Sequence, residues 1–394
     1  MFKKTIAIII LCLLIILFPS VSYGHESLSD PGHKPPLENS GTDPCNAEAA
    51  LEIIERVAEN TGNISFKAAK TVIMWHPPGT TACMSNITHK APNLTKTEYL
   101  PSSSSTCGLR TIISDGKSTW HYEPSLEVVF HMPEIPSLHD DLKDKNEGGK
   151  PNRIKDIALI KDNYEVSMVS TENLIGRSAY IIELKPRHFG NPSRKIWVDK
   201  EYPFILKTEK YGSDGALSSV SFYNQIEFFP FFDDDIFKLD IPSNITKVEL
   251  PVLSGLIPLD ELNRKADFSI PMPEFIPPGY VIEGGILSSY KPFPAAHIRL
   301  TDGLNTISYF VSPGTGGNNK GQDTLSTMAD MSGVNVVRRS EKGYDLTLVG
   351  ESDESLLKKM AESIHPPLIQ NKPPRHPLVD YLSSFLYQLF LLER

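Results

Sequence analysis

The chain has 394 residues, 40% hydrophobic and 22% charged, with a formal charge of −9. This is the composition of an ordinary folded protein, and the length exceeds one typical domain, so two globular units are expected. The negative balance excludes a sequence-independent nucleic-acid binder, which needs a basic face, and leaves peptides, lipids and other proteins as partners.

Residues 1–24 open with Lys3 and Lys4, continue through an apolar run from Ile6 to Phe18, and end in Ser22-Tyr23-Gly24. A basic start, an apolar middle and a small-residue cleavage context read as a signal peptide for export. The run is shorter than the ~20 residues a spanning helix needs, and an uncleaved anchor is the alternative reading. Residues 25–45 mix Pro, Gly, Ser and charge without periodicity, as a flexible linker does. Ala47, Ala50, Leu51, Ile54 and Val57 then share one face of an amphipathic helix.

From Ser65 to Leu239 the pattern is mostly strand: short runs bounded by Pro, Gly, Asn or Asp. "ISDGKSTWHYEPSLEVVFH", Ile113 to His131, reads as a hairpin with a tight Asp115-Gly116 turn, after which Trp120 and Tyr122 share a face. A polar break from Leu138 to Asp156 holds a short helix or a loop. Beyond it Tyr180, Ile182 and Leu184 share a face, as do Val220, Phe222 and Ile226, while Glu183, Lys185, Ser221 and Gln225 take the other. That describes a large antiparallel sheet, apolar on one side, covered by the helix or folded toward a barrel. Residues 248–267, interrupted by Pro and Gly, read as an inter-domain linker. In the second unit, 268–366, "YVIEGGILSSY", "AAHIRLTDG", "NTISYFVSP" and "YDLTLVGE" are strands, "GTGGNNKGQD" is a loop and "DESLLKKMAESI" a closing helix. Residues 367–394 are Pro-rich and end in Leu378, Leu382, Phe385 and Leu389, an apolar stripe at helical spacing.

No H-E-x-x-H, G-x-S-x-G, P-loop or C-x-x-C occurs, and nothing pairs a nucleophile with a base. The three carboxylates Asp233, Asp234 and Asp235 read as a solvated turn rather than a calcium site, because adjacent side chains point apart. The histidines are scattered without metal spacing, so neither a metal nor a cofactor is expected. The N-x-S/T sequons at Asn63, Asn86, Asn93 and Asn244 matter only in a eukaryotic secretory cell. Without the leader, Cys45, Cys83 and Cys107 remain, enough for one bridge and one free thiol in an oxidising compartment. If 81–89, 95–100 and 109–114 are successive antiparallel strands, the chain returns near Cys83 just before Cys107, which predicts that pair and leaves Cys45 free. Periodicity favours core positions for Trp120, Tyr122 and Trp197. The functional alternative makes them, with Tyr180 and Phe222, the lining of a concave ligand cavity.

"IISDGKSTWHYEPSLEVV", "GRSAYIIELKPR" and "RKIWVDKEYPFILKTEKYGSDG" resemble, in order, the sheet of the outer-membrane lipoprotein carrier (LolA-like) superfamily, and "FFDDDIFKLDIP" resembles its terminal strand. Together they cover residues 46–247. "FIPPGYVIEGG", "AAHIRLTDGLNTISYFVSP" and "YDLTLVGESDESLLKKMAESI" resemble the second domain of the MucB/RseB family of periplasmic sigma-E regulators. The resemblance implies an α+β protein: a LolA-like half-open antiparallel β-barrel with a helix, then a smaller α/β C-terminal domain. It implies no catalysis. The expected partner is the periplasmic segment of a membrane-spanning anti-sigma factor, in envelope-stress signalling, with a lipid-like ligand favouring release. The "DGL-x-x-IS-x-F" run makes Asp302 and Phe310 partner-contact candidates, alongside Leu382, Phe385 and Leu389 of the tail. A periplasmic lipoprotein or lipid carrier is the competing function.

Overall fold

The computed structural model describes residues 44–60, 62–76, 79–101, 108–133, 153–241, 245–249, 256–288, 294–313, 324–329 and 334–368. Helix α1 (Pro44–Asn60) leads into β1 (Phe66–His76), β2 (Gly79–Lys90), β3 (Leu94–Tyr99), β4 (Arg110–Asp115), β5 (Ser118–Glu123) and β6 (Val128–Pro133). Helix α2 (Arg153–Asn163) precedes β7 (Tyr164–Leu174), β8 (Arg177–Pro186), β9 (Ser193–Asp199), β10 (Ile205–Tyr211), β11 (Leu217–Phe228) and β12 (Thr246–Glu249). These strands form one open sheet of twelve, ordered β12-β6-β5-β4-β3-β2-β1-β11-β10-β9-β8-β7. Among the described residues, β12 with β6 is the one parallel pair of this sheet, and the other pairs are antiparallel.

The β4–β5 hairpin forms as its sequence dictates. The Asp115 carboxylate accepts from the Lys117 and Ser118 amides at 2.9 and 2.7 Å, and Gly116 takes φ +79°. The register sets Trp120 opposite Ile113 and Tyr122 opposite Thr111, so the two aromatics share a face.

Helices α1 and α2 cover β7–β9. Ala50 and Ile54 of α1 and Ile160 of α2 pack on Val166, Ile182 and Val198. Alternation sends Ala179 and Ile181 to the other face of β8, where they bury against Trp197 and Leu206. The polar opposite face expected from the sequence is therefore apolar at this point of the sheet. Asp233 caps a short 3₁₀ turn, Asp234–Phe237, its carboxylate accepting from the Asp235 amide at 3.1 Å. The carboxylates thus form the expected turn, stabilised by Lys90–Asp234 and Lys238–Asp235 pairs. The terminal strand of the sheet is β12, later in the chain than the resemblance placed it.

The second unit contains α3 (Leu259–Lys265), β13 (Val281–Ser288), β14 (Ala295–Thr301), β15 (Thr306–Pro313), β16 (Thr324–Ala329), β17 (Asn335–Glu341), β18 (Tyr344–Gly350) and α4 (Glu354–Glu362). Its six strands run β13-β14-β15-β18-β17-β16, all antiparallel. Leu300, Ile307, Tyr309, Leu346, Leu348 and Leu357 are fully buried in its core. Part of the expected linker belongs to this core: Pro258 occupies the N-cap of α3, Leu262 is fully buried, and Ile257 bridges to Gly285. Asp260 and Glu261 in the first turn of α3, and Arg264 and Lys265 in the last, match the helix dipole. The half-open antiparallel sheet with helices, followed by a smaller α/β unit, is the architecture the sequence led us to expect. No described helix is long and apolar enough to cross a membrane.

Candidate functional site

A cavity of about 620 Å³ opens between the C-terminal end of α1 and the middle of the large sheet. Val57 and Asn60 of α1 and Ile64 of the following turn form one wall. That turn is fixed by His89, whose Nε2 lies 3.1 Å from the Gly62 carbonyl and whose Nδ1 lies 2.9 Å from the Thr95 hydroxyl. An N–H at Nε2 then donates to the carbonyl and Nδ1 accepts from the hydroxyl, so both ring nitrogens are committed. Phe66, Phe204 and Tyr223 form an aromatic floor, with Phe204 centred 5.0 Å from Phe66 and 5.3 Å from Tyr223.

Lys70 reaches this space from mid-β1, its register partners being Tyr223 on β11 and Ser85 on β2. Its ammonium lies 5.7 Å from the centroid of the Tyr223 ring. Burial lowers the Lys70 pKa and raises that of the Tyr223 phenol. Among the described residues, no Asp or Glu lines the cavity. The lining thus combines an aromatic floor with two lysines, Lys70 and Lys207, and a committed histidine, as sites for small molecules combine apolar walls with a few polar groups.

The sequence-predicted aromatics lie elsewhere. Trp197 is buried, donates from Nε1 to Glu172 at 2.6 Å, and lies under Lys207 at 4.1 Å. Tyr180 sits beneath Lys200, 4.9 Å away, and packs toward the helices. Phe222 falls between Ser221 and Tyr223, which both line the cavity, so alternation turns it away. Trp120 stacks on His131 at 3.9 Å between centroids, with Lys247 4.6 Å from its ring, and Tyr122 is half-buried on the same strand. None of the five lines this cavity. The missed residues were Lys70, Phe66, Phe204 and Tyr223. The available signal was "FKAAK", in which Phe66, Ala68 and Lys70 share a strand face and put a lysine among apolar neighbours.

Asp302 is fully buried, and Phe310 is buried against His297, with ring centroids 4.4 Å apart. Neither presents a surface in this structure. Asp302 instead serves a polar seam between the units. The Tyr164 hydroxyl donates to it, the Asn163 amide donates to the Asp302 and Gly279 carbonyls, and Glu351 receives Arg194 and Lys210 at 3.2 and 3.0 Å. Leu382, Phe385 and Leu389 lie outside the described residues, as do the leader and Cys107. Cys83 is disulfide-bonded. Among the described residues, no group of three or more His, Cys, Asp or Glu converges to hold a metal.

The fold is MucB-like: a large open antiparallel sheet carrying helices, followed by a smaller sheet. Two solved structures share it. MucB in complex with MucA(peri) has a TM-score of 0.52 at 17% identity, over 81% of this chain and 100% of that one. The MucA/MucB complex of Pseudomonas aeruginosa has a TM-score of 0.54 at 17% identity, over 82% and 100%. At that identity the likeness is one of fold. No family model matches the sequence. An uncharacterized protein of Methanocaldococcus jannaschii is 25% identical over 164 residues, 42% of this chain, and the chain spans about half (45%) of that protein's length.

Proposed function

We propose that the chain is an exported, non-enzymatic regulator that binds the extracytoplasmic segment of a membrane-spanning anti-sigma factor. The observation that carries this reading is the two-unit architecture shared with MucB, whose solved neighbours hold MucA. The leader-like residues 1–24 support export, and a guest in the sheet cavity supplies the linked ligand. The test is a pull-down from membranes with the full chain as bait. Recovery of a single-pass anti-sigma factor is expected, and its absence overturns the reading.

The cavity also favours a second reading, a lipid or lipoprotein carrier working by transfer. Native mass spectrometry showing one co-purified lipoprotein per chain, with no anti-sigma partner recovered, would place the protein there.

A further inference from the structure

One of the cavity's charges has no carboxylate counterpart among the described residues. Two lysines line it. Lys207 is matched by Glu209 at 2.7 Å and lies against Trp197. Lys70 has no carboxylate partner among the described residues, only the face of Tyr223. Withdrawing an ammonium from water is unfavourable unless it is paired, and a single ring quadrupole offsets part of that cost. The apolar part of the lining points to what completes the pair: beside polar groups such as Asn60 and Thr95, Phe66, Phe204, Ile64 and Val57 offer a surface for hydrocarbon. The volume, about 620 Å³, falls within the ~300–1,000 Å³ typical of sites for one small molecule.

We propose that this cavity binds a single-chain amphiphile with one anionic head group, a carboxylate or a phosphate monoester, with the Lys70 ammonium as its counter-charge and the Phe66–Phe204–Tyr223 wall against its chain. The inference deepens the linked-ligand part of the preceding reading by giving that ligand a charge and a chain number, and it stands on the cavity alone. Burial disfavours the charged form of Lys70 in the empty protein, and an anion arriving beside it reverses that preference. Neutral and cationic amphiphiles of the same length leave the ammonium unpaired or repelled, so selectivity for charge is the signature.

The test is displacement of a fluorescent polyene fatty acid from the purified full chain at pH 7 by palmitate, methyl palmitate, hexadecylamine and inorganic phosphate. Palmitate should compete at least tenfold better than the ester or the amine, and phosphate should not compete. Lys70→Met should abolish the preference for acid over ester, and Lys70→Arg should keep it. Equal competition by acid and ester, displacement by phosphate alone, or a preference surviving in Lys70→Met would each overturn the proposal. The wild-type ranking decides even where a variant fails to fold. The membrane pull-down reads a different property. A lost partner with the ranking intact removes the regulator reading only, and equal ranking with the partner recovered removes this inference only.

Discussion

The Tyr164 hydroxyl donates a 2.5 Å hydrogen bond to the carboxylate of Asp302, 138 residues away, and so joins the large sheet to the small one. Asp302 also accepts from the amides of Leu304 and Asn305, and the Asn305 side chain donates to the Tyr164 oxygen. Tyr164→Phe removes one donor from a buried carboxylate and one acceptor from a buried amide. We expect a loss of about 1–3 kcal/mol, the cost of leaving a buried polar group short of partners. Urea unfolding should show a lowered midpoint at an unchanged slope. An unaltered midpoint would mean that water replaces the hydroxyl.

Glu351 is held from the large sheet by Arg194 and Lys210, and its side chain is 5% exposed. Glu351→Gln leaves both cations facing a neutral amide. The cations are 18% and 19% exposed, so the loss should fall below the ~3–5 kcal/mol of a fully buried pair, at about 2 kcal/mol. Calorimetry should resolve two transitions in the variant where the wild type shows one. A single transition at the wild-type temperature would count against a coupling role.

Gly190 and Gly176 separate two costs. Both take positive φ, +88° and +79°, but a Cβ at Gly190 would stand 2.4 Å from Leu356 Cδ1, while one at Gly176 meets nothing within 4 Å. Gly176→Ala should cost ~1 kcal/mol of backbone strain. Gly190→Ala should cost more, about 2 kcal/mol or above, because Leu356 at the seam must also move. Equal melting temperatures for the two variants would show that α4 gives way freely.

His297 lies over Phe310, hydrogen-bonds the Ser308 hydroxyl at 3.0 Å, and has its pKa lowered to about 3 by burial and by the neighbouring Arg299. The unfolded chain therefore takes up this proton first. The stability contributed by the neutral ring is complete above pH 6.5 and declines as the pH falls from 6.5 toward 3. Between pH 7 and 5.5 the wild type should lose on the order of 1 kcal/mol more than His297→Gln. Parallel melting curves for the two proteins across that interval would assign the sensitivity to another group.

A Cys83–Cys107 bridge should leave Cys45 as the one reactive thiol of a leaderless chain. The premise of that pairing is met, since β2, β3 and β4 are successive antiparallel neighbours. Thiol counting under denaturing, non-reducing conditions checks it, and a free, alkylatable Cys107 would end it.

Much of the fold was legible because its signals are local. Asp115-Gly116 announces a hairpin, Ala50 and Ile54 announce a buried helix face, and the runs that became β13, β14, β15 and β18 are dense in β-formers. β16 and β17 were not read, because "TLSTMA" and "NVVRRSE" carry polar residues that only their neighbours justify. Arg339, for instance, donates to the Ala361 and Ile364 carbonyls at the end of α4. The cavity was legible only in part. Trp197 and Phe222 drew attention by type, but which face a residue occupies depends on bulges such as the register shifts at Ala69/Lys70 and Ile205/Lys207. Lys70 gains its significance from an absence of carboxylates around it among the described residues, and residue type alone cannot express that.

The two edges of the large sheet are β12 and β7, and the second unit is hydrogen-bonded to the β7 side. The chain runs into that unit from β12, while hydrogen bonds from Tyr164, at the start of β7, and Arg194, on β9, return to it. The polar contacts on the β7 side weld the small unit to that edge of the open sheet. Opening the sheet at its β7 edge would therefore have to part Tyr164 from Asp302 or carry the small unit along.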